Sequence, residues 1–349
     1  MKLILPVAGK SSRYPNIRPK WLLTLSDGSL MIEKSLSGIS KKNINEIVII
    51  MLEDHYKFIS QDQLEELISS KISNNIKLKI IALEESTNSQ PSTIASYLNS
   101  IEEDFSFFIK DSDNYFELEP INLNLISYVD LANVNNLNVN NKSYVQTNRF
   151  NEAEKIVEKK VISDKFCCGG YGFKSSFTFL NSFNELGGND NSDLYISHII
   201  QKQLIEGETF NVIEASNYED YGTYEDYKKY MSRTKSFFCD FDGVLVINSS
   251  KFDLPPWQYK PLKNNLYKLK EFLEKSPHSK FIITTSRPEK EKKNIKKFLK
   301  DYGIDCHEIV SDLPHSSRIL INDFAKSNPY PSAESINLSR NSDDLSAFL

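Results

Sequence analysis

No stretch of about 18 consecutive apolar residues occurs in the chain, so no segment reads as a membrane-spanning helix. The first residues carry no basic segment followed by a long apolar core, and export by that route is not expected. Cysteine is scarce: Cys167, Cys168, Cys239 and Cys306 show no paired metal-ligand spacing and read as reduced, small apolar residues of a cytoplasmic protein. Basic residues are outnumbered, 42 Lys and Arg against 47 Asp and Glu, which excludes the positive balance that nucleic-acid binding needs. Any phosphate binding must therefore be local. Glycine is sparse where a nucleotide loop would want it, since only Gly9 follows the first apolar run, and the generic dinucleotide and P-loop patterns fail.

What is present is a chain of 349 residues, long enough for about two domains, with 40% hydrophobic residues to fill two cores. Leu3-Ile4-Leu5-Pro6-Val7 is a short apolar strand that opens into Ala8-Gly9-Lys10-Ser11-Ser12-Arg13, with Pro19-Lys20 beyond it. Small side chains let backbone N–H groups approach a polyphosphate, and Arg13 and Lys20 supply the charge. Ile47 to Met51 is too apolar for a one-sided strand and predicts a buried parallel one. A helix near Gln61 to Ser70 and strands at Lys77 to Leu83 and Phe105 to Ile109 continue the alternation. That pattern predicts an α/β doubly wound sheet, with ligands beyond the carboxyl ends of the strands. Asp111 and Asp113 directly follow the last of these strands, where a carboxylate can meet a nucleotide-bound magnesium ion; solvated turn acids would read the same way. Asn133 to Asn141 reads as a surface loop.

The order and spacing of these segments resemble the sugar-phosphate nucleotidyltransferases (nucleotide-sugar pyrophosphorylases), over residues of about 1–230. The resemblance implies a Rossmann-like domain in which Ala8, Gly9, Ser11, Ser12, Gln90 and Ser92 meet the nucleotide, although the segment around Gln90 also reads as a plain loop whose helix is capped by Ser92 or Thr93. It implies that Arg13 and Lys20 stabilise the triphosphate, and that Glu158 and Lys159, or Lys160 in its place, meet a phosphorylated acceptor above Gly170. A charged edge strand and a packing bulge would look alike there. It further implies that Asp220, before Gly222-Thr223, joins Asp113 in holding Mg2+, though an acidic, solvated helix start is the plainer reading.

At Ser236 the chain starts again, with a strand ending in Asp240-Phe241-Asp242-Gly243-Val244. Alternate residues of an extended strand end point the same way, so both carboxylates would reach one phosphoryl group. Phe281 to Arg287 is a strand ending in Thr285 and Ser286, and Ile319 to Asp323 is an apolar run ending in an acid. In order, these resemble motifs I, II and IV of the haloacid dehalogenase superfamily. The resemblance implies a small capless domain in which Asp240 attacks phosphorus, Asp242 acts as acid and base, Thr285 and Ser286 hold phosphate, and Asp240, Asp242 and Asp323 hold a second Mg2+. The lysine expected before the last strand is missing, leaving Arg318 or His315 in its place. The lysines from Lys290 to Lys300 read as a solvated helix face.

The sequence thus predicts two domains, 1–232 and 233–349, each built on a mainly parallel sheet. The expected function is bifunctional: nucleotidyl transfer from an NTP to a phosphorylated sugar or polyol, with phosphomonoester hydrolysis, in capsule or surface polysaccharide precursor supply. The alternative is a single transferase, with a sugar, polyol, aminoalkyl or choline phosphate acceptor, and a silent C-terminal domain. No nucleic-acid or membrane partner is expected, and a homo-oligomer stays open.

Overall fold

The computed structural model describes residues 1–9, 18–73, 75–134, 141–276, 278–323 and 332–349. It divides into two compact units, Met1–Tyr227 and Lys228–Leu349.

In the first unit, strands Lys2–Pro6 (β1), Glu46–Leu52 (β2) and Lys77–Leu83 (β3) run parallel, and Phe107–Lys110 (β4) pairs parallel on the other side of β1. Successive residues of β1 and β2 serve different cores. Leu3, Leu5, Ile47, Ile49 and Met51 enter one apolar cluster with helices Met31–Ser37 (α1) and Gln61–Ser69 (α2). Ile4, Val48 and Ile50 enter another with Gln90–Leu98 (α3). Burial of both faces is why these strands read as unbroken apolar runs rather than alternating ones. Each such side chain contributes roughly 1.5–3 kcal/mol relative to exposure.

Beyond β4 the direction changes. After the short strand Asn114–Glu117 (β5) come Leu125–Asp130 (β6), Ser143–Thr147 (β7), Ala153–Glu158 (β8) and Lys165–Phe173 (β9). β9 inserts antiparallel between β4 and β6, and β7 pairs antiparallel with both β8 and β9. Helices Ser176–Glu185 (α4) and Ile196–Ile205 (α5) then lead to Asn211–Glu214 (β10), which is parallel to β6. The sheet is therefore mixed, in the order β10-β6-β9-β4-β1-β2-β3, and not mainly parallel as the sequence suggests. An antiparallel strand buried on both faces is as uniformly apolar as a parallel one, so periodicity does not separate them. β9 is of this kind, intermediate at its first residue and buried through the remainder. The run Ser216–Asp220 (β11) pairs with β5 as a separate antiparallel ribbon. Helix Tyr224–Ser232 (α6) contains the division between the units. Residues 135–140 of the asparagine-rich stretch lie outside the described residues.

The second unit holds a parallel sheet of Ser236–Asp240 (β12), Lys280–Thr284 (β13) and Glu308–Val310 (β14), with helices Lys263–Lys275 (α7) and Lys292–Asp301 (α8). Leu266, Leu269, Ile295 and Leu299 of the helices close its core with Phe281 and Ile283. The expected strand at Ile319 to Asp323 does not form: this segment is irregular, with Ile319 and Ile321 82% and 89% exposed. An apolar run becomes a strand only where a neighbouring edge and a covering layer receive it, and among the described residues neither does.

Candidate active site

β1 is followed by Val7, whose N–H donates to Ile50 O at 2.7 Å, and delivers buried Ala8 and exposed Gly9 to the strand ends. Among the described residues, and its chain neighbours aside, none has an atom within 4 Å of where a Gly9 Cβ would be. Ser11, Ser12 and Arg13 lie outside the described residues. Lys20 is carried on a single 3-10 turn, Lys20–Leu22, held by buried Trp21 and Leu22. The Trp21 Nε1–H donates to His55 Nδ1 at 3.2 Å, and burial lowers the His55 pKa to about 4.

The Lys20 ammonium pairs with Asp113 Oδ2. Asp113 belongs to the turn between β4 and β5, and that turn is wrapped around a wholly buried cation. Lys110 Nζ donates to Asp111 O at 2.6 Å, Asn114 O at 3.0 Å and Asn114 Oδ1 at 2.5 Å. Burial lowers the Lys110 pKa to about 8. Asp111 points inward. Its Oδ1 accepts from Gln90 Nε2 at 2.6 Å, and burial, followed by the nearby Asp113 charge, raises its pKa. Gly169 makes room for it: at φ +88 a Cβ there would lie 2.4 Å from Asp111 Oδ2.

Asp220 reaches the same place through the β5–β11 ribbon, which sets it opposite Asn114, while Tyr221 N–H donates to Asp113 O at 2.9 Å. A Cβ on Gly222 would lie 3.0 Å from Asp220 Oδ1 and 3.5 Å from Asp113 Oδ2, so one oxygen of each carboxylate lies beside Gly222. Asp220 Oδ1 accepts from Gly222 N–H at 2.9 Å, and Oδ2 accepts from Lys142 Nζ at 2.5 Å. Two carboxylates converging in this way suit a hard divalent ion that takes its remaining oxygens from phosphate and water. Among the described residues no group of three or more His, Cys, Asp or Glu gathers as a metal cluster, and Asp111 is turned toward Gln90.

On the acceptor side, Glu158 ends β8, and its Oε2 accepts from the hydroxyls of Ser143 and of Ser197, the latter at 2.8 Å. Lys159, at φ +54, donates to Tyr195 OH at 2.5 Å and lies 4.4 Å from that ring centre. Gly170 is not open to a ligand: a Cβ there would meet Ser127 Oγ at 2.5 Å and the Phe116 and Phe108 rings at 2.7 and 2.8 Å, so this glycine serves packing. The helix cap expected at Ser92 or Thr93 is corrected. The α3 cap is Ser89, whose Oγ accepts from Ser92 N–H at 3.2 Å, and the buried Ser92 hydroxyl pairs with Ser89 Oγ at 2.8 Å.

In the second unit Asp240 is half exposed and lies 3.3 Å from Arg318 Nη2, while burial raises its pKa. Asp242 is held differently. The fully buried Arg287 donates from Nε to Oδ2 at 3.0 Å and from Nη2 to Oδ1 at 2.7 Å, and Thr285 Oγ1 lies 3.4 Å from Oδ2. Arg287 also donates to Trp257 O and Gln258 O, and its guanidinium lies 4.5 Å from the Tyr259 ring centre. Both oxygens of Asp242 are thus taken, and Thr285 is wholly buried rather than presented to phosphate. Ser286, half-buried, follows it. Asp323 is exposed on the irregular segment, where its carbonyl accepts from Ser332 Oγ at 2.6 Å. Among the described residues, Asp240, Asp242 and Asp323 do not gather as a group that could hold a metal ion.

Sequence reasoning missed Lys142, Lys110, Ser197 and Arg287. Only Arg287 carried a signal, following Thr284-Thr285-Ser286 at the strand end.

No protein family profile and no curated protein matches the chain. Solved structures do. A nucleoside-diphosphate-sugar pyrophosphorylase from Vibrio cholerae RC9 superposes with a TM-score of 0.55 at 17% identity, over 66% of this chain and 99% of that one. The inositol-1-phosphate CTP transferase of T. maritima gives 0.51 at 16%, over 66% and 94%. A UDP-glucose pyrophosphorylase complexed with UDP-glucose gives 0.50 at 14%, over 66% and 97%. What is shared at such identity is the fold alone: a mixed α/β, Rossmann-like architecture over about two thirds of the chain.

Proposed function

We propose that the first unit is a nucleotidyltransferase that joins the nucleotidyl group of an NTP to a phosphorylated sugar or polyol and releases pyrophosphate. The observation that carries this reading is that Asp113, paired with Lys20, and Asp220 both lie beside Gly222, beyond the end of β4. The acceptor phosphate oxygen attacks the α-phosphorus in line, the bond from that phosphorus to the bridging oxygen breaks, and pyrophosphate leaves. Lys20 and Arg13 take up the charge that develops on the leaving group. Lys159 binds the acceptor phosphate. Both serines engage Glu158 Oε2, so Oε1 is the oxygen assigned to an acceptor hydroxyl. Asp113 and Asp220 would hold Mg2+, which supplies charge neutralisation on the phosphates. The three neighbours support this reading through their fold, and the product would be an activated precursor of glycan assembly, such as capsule.

For the second unit, the Arg287 clamp on Asp242 favours the single-activity reading, in which this unit does not hydrolyse phosphomonoesters. Two assays test the whole. Pyrophosphate release is measured for each NTP against phosphosugars, polyol phosphates and phosphoalcohols, and release with none sinks the transferase. Phosphate release from the same panel is compared in the wild type and Asp240→Asn; a release that only the variant loses restores the hydrolase.

A further inference from the structure

Each of the two converging acids carries a lysine on one oxygen. Lys20 sits on Asp113 Oδ2 and Lys142 on Asp220 Oδ2. Asp220 Oδ1 accepts from Gly222 N–H, and Lys142 stands on the other oxygen, Oδ2. Lys142 is also held from behind, donating to Tyr218 OH at 2.9 Å. Its backbone reaches the acceptor side: its carbonyl accepts from Lys159 N–H at 3.0 Å, and the next residue, Ser143, bonds Glu158. One ammonium therefore joins the acid centre to the acceptor wall.

We infer that Lys142 is a further phosphate-binding residue of the transferase site and a displaceable counter-ion of Asp220. In the ligand-free protein it neutralises that carboxylate; once a divalent cation takes Asp220 Oδ2, the ammonium passes to a phosphate oxygen. This rests on the transferase reading. It explains why two acids that lie beside Gly222 are stable together without a cation, since each has its own lysine, and why those lysines sit where phosphate charge will arrive. Nothing covalent changes.

The test is calorimetric and needs no turnover. Mn2+ is titrated into the full-length wild type, Lys142→Met and Lys142→Arg, then inorganic pyrophosphate and inorganic phosphate are titrated into each at saturating Mn2+. Lys142→Met is expected to bind Mn2+ about tenfold more tightly, because no ammonium has to be displaced, and at least one of the two anions about tenfold more weakly. Loss confined to pyrophosphate places Lys142 on the nucleotide side, and loss confined to phosphate places it on the acceptor side. Lys142→Arg is expected to retain anion binding. Unchanged Mn2+ affinity overturns the exchange, and tighter Mn2+ with both anions unaffected overturns the phosphate role. Should Lys142→Met not fold, Lys142→Gln is titrated in its place with the same criteria. Wild type that releases no pyrophosphate with any substrate pair yet shows the opposed Mn2+ and anion shifts loses the transferase reading and keeps the binding site.

Discussion

His55 lies just after β2 and accepts the Trp21 N–H behind the turn that carries Lys20, so its protonation should loosen that turn from within. In the unfolded chain a histidine titrates near 6.5, whereas burial holds His55 at about 4, with the Asp54 charge opposing only in part. The folded-state value is the lower one. Between these two values the unfolded chain binds more protons, so stability is complete above about pH 6.5 and falls as the pH drops toward 4. At pH 5 the loss from this one group is about 2 kcal/mol, because each tenfold difference in proton affinity between the two states is worth about 1.4 kcal/mol. His55→Gln keeps an acceptor for Trp21 without a titrating ring. The assay is urea unfolding followed by tryptophan fluorescence at pH 8 and pH 5 on both proteins. The difference in unfolding free energy between wild type and variant should shrink or invert by about 2 kcal/mol at the lower pH. Equal acid sensitivity in both proteins would refute the reasoning, because every other carboxylate and histidine is common to them.

Three further outcomes follow from the geometry. Asp220→Asn should reduce pyrophosphate release by about a hundredfold or more while the protein stays folded, as judged by steady-state rates beside circular dichroism. Gly169→Ala forces a Cβ to 2.4 Å from Asp111 Oδ2 at φ +88 and should destabilise the first unit by about 2 kcal/mol or more in chemical denaturation. In the second unit, Asp242→Asn leaves the buried Arg287 guanidinium without its counter-ion and should cost about 3–5 kcal/mol, whereas Asp240→Asn, on a half-exposed acid, should change stability little; equal effects would contradict the clamp.

The strand end at β4 and the acids beyond it were legible in the sequence because they are local: an apolar run, then Asp111 and Asp113 in a polar turn. The two-sided burial of β2 was legible for the same reason. Partners supplied from far along the chain were not. Lys142 follows an asparagine-rich stretch and carries no pattern of its own; only the fold sets its ammonium on Asp220. Strand direction was also hidden, because β9 is apolar whichever way it runs. Arg287 shows the opposite failure. A motif-like Asp-x-Asp suggested two chemical carboxylates, but the strand end two elements later brings a buried guanidinium that occupies one of them.

The small β5–β11 ribbon has a consequence for how the protein is made. Residues 114–117 leave the ribosome long before 216–220, yet Asp113 and Asp220 are brought together only when these two segments pair. Closing so long a loop depends on the sheet already holding β5 in place, since its entropy must be met before the ladder returns anything. Synthesis can therefore produce a folded sheet well before it brings the two acids together. A nascent chain halted ahead of β11 would hold the Asp111 and Gln90 contact and lack the paired carboxylates, so that competence arrives in one late step rather than accumulating along the chain.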